Sequence, residues 1–137
     1  MSETRPLTIG GVAKLAGVSP TTVRFYERAG VVRPVSRTAA NYRLYPPDAV
    51  ARIRFTRRAQ ELGFTLREVK ELLTLRTDGA RSCERVRETA TTKIADIQDR
   101  IRSLQRMGRA LARLAEECKT HKPGSGCPLL EYLENRL

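Results

Sequence analysis

Ser19-Pro20-Thr21-Thr22-Val23-Arg24-Phe25-Tyr26-Glu27-Arg28-Ala29-Gly30 is a stretch with both helix ends written in. A serine before a proline is an N-cap followed by a first-turn residue. Its hydroxyl accepts an otherwise unpaired backbone N–H, and the proline has no N–H to leave unpaired. Glycine at the far end takes the left-handed conformation that stops a helix. The spacing therefore predicts a helix over 20–29. Upstream, residues 7–15 read as a second short helix, capped by Thr8, with Ile9, Val12, Ala13 and Leu15 turned inward. Gly17-Val18 makes the turn between them, and two short helices about such a turn are a helix-turn-helix arrangement.

Downstream, residues 31–45 alternate β-branched, proline and basic residues and read as a β-hairpin wing with Ala39-Ala40-Asn41 at its tip. Pro46-Pro47 ends the wing and opens a third helix to about Leu62, which Gly63 breaks. Thr65-Leu66-Arg67-Glu68 is a capping box that opens a fourth helix, ending near Arg76. Residues 77–82 are a linker. From Cys83 to Cys118 there is no proline, and Ile94, Ile97, Ile101, Leu104, Met107, Leu111 and Leu114 are spaced 3-4-3-3-4-3. That is a coiled-coil seam, interrupted near Gly108. One apolar stripe on so long a helix has nothing in its own chain to cover it, so a dimer is expected. Residues 119–137 form a Pro/Gly loop and a last short helix, with Cys127 at its N-cap before Pro128. The expected fold is mainly α: a winged helix-turn-helix over 1–76, a coiled-coil dimerisation helix over 83–118, and a metal-binding loop and helix over 119–137.

The net charge is +11, unevenly placed. Residues 1–77 hold 14 basic and 6 acidic side chains, whereas residues 78–137 hold 12 and 9. A basic first half beside a nearly balanced second half points to a polyanion partner. On the second helix Thr21, Thr22 and Arg24 are side chains suited to base edges and phosphates in a major groove. Tyr26 offers a donor to a phosphate, while Val23 and Phe25 are expected in the core. Arg37, Tyr42 and Arg43 on the wing are placed for the DNA backbone or minor groove. At least one of Arg57 and Arg58 on the third helix is expected at a phosphate, Arg57 foremost. No apolar run is long enough to span a membrane, and no secretory leader is evident, so a cytoplasmic location is expected.

Three cysteines carry the remaining chemistry. Cys83 and Cys118 lie 35 residues apart, about 52 Å along a continuous helix. No single ion touches both within one chain. In an antiparallel pair of helices, Cys83 of one chain meets Cys118 of the other, and Cys127 follows nine residues on. An odd cysteine number in a cytosolic chain argues against structural disulfides. Thiolates select Hg(II), Cu(I), Zn(II), Cd(II) and Pb(II) over hard cations. The dipole of the last helix should lower the pKa of Cys127. Lys119 and Lys122 can offset the charge of a thiolate complex or simply be solvated, and His121 is either a fourth ligand for zinc or an exposed loop residue. A thiol redox sensor is a further reading. A cysteine enzyme is not expected, because no general acid or base stands beside the thiols. An iron–sulfur site would need four cysteines.

The ordered run Thr8-Ile9-Gly10, Ala16-Gly17-Val18, Val23-Arg24-Phe25-Tyr26-Glu27, Gly30, Tyr42-Arg43-Leu44-Tyr45 and Leu62-Gly63-Phe64 resembles the MerR family of transcription regulators over essentially the whole chain. The resemblance implies a winged helix-turn-helix homodimer joined by an antiparallel coiled coil, with an effector site at the coil ends. It implies binding to a palindromic promoter operator, where effector binding bends and untwists DNA so that RNA polymerase meets aligned promoter elements. One departure is Asn41, where the family commonly has glycine at the wing tip. Asparagine tolerates the left-handed conformation needed there. Cys83, Cys118, Cys127 and the Cys127-Pro128-Leu129-Leu130 segment are similar to the mercury-sensing branch, which implies trigonal Hg(II) held by Cys83 of one chain and Cys118 and Cys127 of the other. The lead-sensing branch shares this spacing, so Pb(II), Cd(II) or Zn(II) remain alternative effectors. The zinc branch has a second cysteine where Glu117 stands here, and the copper branch lacks the cysteine at position 83.

Overall fold

The computed structural model describes residues 5–76, 80–120 and 126–134. Along the chain run β1 (Leu7–Thr8), α1 (Ile9–Ala16), α2 (Pro20–Arg28), β2 (Ser36–Arg37), β3 (Arg43–Tyr45), α3 (Asp48–Glu61), α4 (Leu66–Leu75), α5 (Ala80–Thr120) and α6 (Pro128–Glu134). The expected mainly α fold with a winged helix-turn-helix and a long C-terminal helix is what forms. Packing divides the chain into two compact units, Met1–Lys93 and Ile94–Leu137.

Local chemistry sets the ends of the short helices. Thr8 Oγ1 accepts the Gly11 N–H at 3.1 Å, and Ser19 Oγ accepts that of Thr22 at 3.1 Å. Each such cap stabilises its helix by about 1 kcal/mol. Gly17 closes α1 at φ 73°, where a side chain would be strained. The Thr65–Glu68 capping box opens α4 in both directions. Residues 7–8, expected as the first turn of α1, instead pair with the wing. The antiparallel sheet has the order β1-β3-β2, with Leu7 opposite Tyr45 and Arg37 opposite Arg43. The reason is that Thr8, as an N-cap, holds extended backbone (ψ 165°), so the residue before it is free to join a strand. Asn41 takes φ 70° at the wing tip, as its side chain permits.

The core of the first unit joins Val12, Ala13 and Ala16 of α1, Val23 and Tyr26 of α2, Tyr45 of β3, Ala49, Ile53 and Ala59 of α3, and Val69 and Leu73 of α4. Two inward expectations fail. Leu15 is 52% exposed and Phe25 44% exposed, and their places in the core are taken by Ala16 and Tyr26. The cause is helical phase. Val12, Ala13 and Ala16 are buried on α1, and Val23 and Tyr26 on α2, while Leu15 and Phe25, each two positions beyond a buried residue (Ala13 and Val23), are turned about 200° away from it.

The expected linker at residues 77–82 overlaps α5, which begins at Ala80; residues 77–79 lie outside the described residues. Lys93, at the end of the first unit, is buried and pairs with Glu68. In the second unit Ile94, Ile97, Ile101, Leu104, Met107 and Leu111 are exposed, and Leu114 is buried. No helix among the described residues is long and apolar enough to cross a membrane.

Candidate metal centre and nucleic-acid interface

In the first unit α2 and the wing share a cleft of about 260 Å³ lined by Arg24, Arg37, Thr38, Asn41, Tyr42 and Arg43. Four of the residues expected at DNA are thus brought together from two elements. The wing is held in shape by its own hydrogen bonds. Thr38 N–H donates to the Tyr42 carbonyl at 2.8 Å, Tyr42 N–H to Thr38 Oγ1 at 3.1 Å, and Arg37 Nη1 to the Asn41 carbonyl at 3.1 Å. Tyr42 itself is 70% exposed.

The cleft is tied to the core through Glu27, which sequence reasoning did not place in the site. Its carboxylate accepts the Tyr45 hydroxyl and pairs with Arg43 Nε at 3.5 Å. Burial, and then the Glu27 carboxylate, pushes the Tyr45 phenol up to about 12. The sign follows: a phenol held protonated in the fold contributes stability below about pH 10, and that contribution is lost as pH rises towards 12. Nothing local in the sequence marks Glu27, because its partners Tyr45 and Arg43 lie 18 and 16 positions away.

Three expected contacts are placed differently. Tyr26 is buried, and its hydroxyl donates to Gln60 Oε1 at 2.9 Å, so its single proton is used inside the unit rather than at a phosphate. Burial raises its pKa, and Arg57 acts against that rise. Arg57 Nη1 donates to the Gly17 carbonyl at 3.1 Å and Arg54 Nη2 to the Leu15 carbonyl at 2.5 Å. Both satisfy the carbonyl end of α1, where cations suit the helix dipole. Arg57 therefore braces the turn between α1 and α2. The Thr22 hydroxyl lies 2.9 Å from Ser19 Oγ and belongs to the cap of α2. Thr21 and Arg24 are exposed on the outer face of α2.

In the second unit Cys118 Sγ and Cys127 Sγ stand 3.7 Å apart. A disulfide would hold them at about 2.03–2.05 Å, whereas two sulfurs on one tetrahedral ion at about 2.3 Å lie roughly 3.8 Å from each other. The pair fits a thiophilic cation. The Cys127 thiol is lowered from its ordinary range, first by the Leu130 backbone N–H, then by Cys118 and the Leu129 N–H, while the Glu131 carboxylate opposes the shift. Those amides are the open donors of the first turn of α6, as the position before Pro128 led one to expect. Gly126 leaves room for Glu131, whose carboxylate fills the space a side chain there would need. Cys83 is exposed on α5, in the first unit. Among the described residues no group of three His, Cys, Asp or Glu side chains is gathered to hold a metal. Lys119 is exposed and pairs with Glu116 at 3.7 Å. His121 and Lys122 lie outside the described residues.

Residues 7–75 match the MerR HTH family regulatory protein profile, and residues 50–114 match the profile described as MerR, DNA binding. This chain belongs to the MerR family. It is a DNA-binding transcription regulator and not an enzyme. It is 40% identical over 128 residues to the HTH-type transcriptional regulator HmrR of Sinorhizobium medicae (strain WSM419), covering 93% of this chain and 86% of that one. It is 39% identical over 125 residues to the mercuric resistance operon regulatory protein of Bacillus cereus, covering 91% and 95%. Its fold is similar to that of PbrR691 from Ralstonia metallidurans CH34 in complex with lead(II), with a TM-score of 0.79 and 31% identity over 93% of this chain and 98% of that one.

Proposed function

We propose that this MerR-family regulator is a homodimeric Hg(II) sensor controlling mercury-resistance genes. The observation that carries the reading is the 3.7 Å approach of Cys118 and Cys127, with Cys83 on the same α5 but 35 residues away. In an antiparallel dimer the partner's Cys83 completes a three-thiolate site at each end of the coil. Three soft donors suit a thiophilic cation, which supplies a covalent tie between the two chains when bound. The residues of this chain do the rest. The α6 amides favour the thiolate form of Cys127, α5 sets the spacing of the two sites, and the winged unit (taken as residues 1–76) places Arg24, Arg37, Tyr42 and Arg43 on a palindromic promoter operator. The response is a shift between two dimer arrangements that differ in how they bend and untwist the operator, which RNA polymerase then reads.

A competitive titration of the reduced dimer with Hg(II), Pb(II), Cd(II) and Zn(II), read by thiolate-to-metal charge-transfer absorbance, tests this. Hg(II) is expected to bind most tightly and to persist against excess competing thiol. Cys83→Ser should abolish the metal response and leave operator binding intact; normal induction by that variant would refute the shared site. A second reading, a Pb(II) sensor on the same scaffold, is favoured by the likeness to lead-bound PbrR691. A preference for Pb(II) in the titration would select it. An inter-chain disulfide after mild oxidant, with no metal-dependent response, would instead support a thiol redox sensor.

A further inference from the structure

Of the described side chains on α5, only Lys93 and Leu114 are buried. The Lys93 ammonium lies 2.8 Å from Glu68 Oε1 and 5.8 Å from the centre of the Phe64 ring. The same Glu68 oxygen accepts the Thr65 N–H at 2.8 Å, and Thr65 Oγ1 accepts the Glu68 N–H at 3.2 Å. One carboxylate oxygen therefore serves both the N-cap of α4 and a cation on α5. Phe64 packs on the core that also holds Val69 and Leu73 of α4. Towards the start of α5, residues 83–88 are exposed, and Ser82, Val86 and Ala90 line an open groove with α3 and α4. The compact unit that contains the helix-turn-helix ends at Lys93 itself.

We propose that Lys93 is the positioning residue that carries a rearrangement of the coil into the DNA-reading unit, through its ion pair with Glu68 at the start of α4. Drawing a buried ammonium away from its carboxylate is strongly unfavourable. An apolar contact at that point would let α5 slide or pivot at small cost. The ion pair, with the aromatic face of Phe64 beside it, instead admits a narrow set of positions. A turn of α5 therefore moves α4, and with it α3 and the helix-turn-helix, and is not absorbed at the junction. The hydrogen bond from Lys93, and then that from the Thr65 N–H, lower the pKa of the Glu68 carboxyl. The inference rests on the metal-responsive reading above.

The test uses the full-length dimer on operator DNA carrying a fluorescent base analogue at its centre, with Hg(II) as the probe. The variants are Lys93→Met, Lys93→Arg and Glu68→Gln, the last keeping the cap acceptor while removing the charge. Hg(II) uptake and metal-free operator affinity should match the parent chain within about threefold in Lys93→Met and Glu68→Gln. The metal-induced change in the operator should fall by at least roughly tenfold, within the 5–150-fold range of allosteric couplings. Lys93→Arg should restore much of it. A full metal-induced change in Lys93→Met or in Glu68→Gln would overturn the inference, as would a lower melting temperature with the response intact. If Lys93→Met does not fold, Glu68→Gln decides. A parent chain that takes up Hg(II) but leaves the operator unchanged would overturn the reading beneath the inference, and is recognised before any variant is compared.

Discussion

The Cys127 thiol is aimed at backbone amides of α6 and touches Cys118, and both interactions favour its thiolate. An acid lowered in this way is ionised at a pH where an ordinary thiol is still protonated, and metal binding, which needs the thiolate, survives to lower pH. Alkylation by iodoacetamide, followed by peptide mapping against pH, should place the Cys127 midpoint below the roughly 8.5 of a free cysteine. A midpoint at or above that value would remove the amide contribution. This residue was legible because its partners are its sequence neighbours. Tyr26 was not, since its partner Gln60 is 34 positions away and nothing local announces it. Phe25 was legible in principle: once Val23 is in the core, the helical period alone turns Phe25 outward and Tyr26 inward.

At the scale of an element, α5 decides the assembly. Six of the seven seam residues remain exposed in the single chain, and each would gain about 1.5–3 kcal/mol on full burial. Among the described residues, nothing beyond its own stretch of helix lies within 4 Å of a Cβ added at Gly108, and this glycine weakens the helix by about 1 kcal/mol relative to alanine. The proposed dimer would lay a second copy along this seam. Leu104→Glu places a charge in that seam, twice per two-fold dimer. Sedimentation should show the dimer dissociating at least about tenfold more readily, a change of roughly 1.4 kcal/mol or more. An unchanged dimer would show that the exposed stripe is not the interface. The periodicity of α5 was visible in the sequence; its start at Ala80 and its attachment through Lys93 were not, because they depend on α4.

For the whole molecule, charge sets the terms of DNA binding. Residues 1–77 carry a net +8, yet several of the arginines serve the fold. Arg52 Nε donates to the Val31 carbonyl at 2.6 Å, Arg54 and Arg57 hold the end of α1, and Arg76 pairs with Asp48 at 2.8 Å. Arg24, Arg37 and Arg43 line the cleft between α2 and the wing. With three phosphate contacts per protomer, the operator affinity of a dimer should fall with salt at a log–log slope of about −5. Arg24→Ala should make the slope shallower by about 2 and leave metal uptake unchanged. A slope shallower than about −2 in the parent chain would mean that the cleft does not meet the phosphates.

By itself the sequence determined the caps, the capping box, the wing tip at Asn41 and the spacing of the α5 seam. Each of these depends on residues within about one turn or one loop of each other, where chain connectivity already limits the geometry. Only the tertiary structure decided which arginines face outward and which hold carbonyls, which of Phe25 and Tyr26 is buried beside Gln60, how Glu27 joins Tyr45 to Arg43, and where Lys93 finds its carboxylate. Those partners lie 16 to 40 positions apart. Only the packing of the wing and α3 on the helix-turn-helix, and of α5 on α4, brings them within reach, and a pair that meets only through packing leaves no pattern in the order of residues.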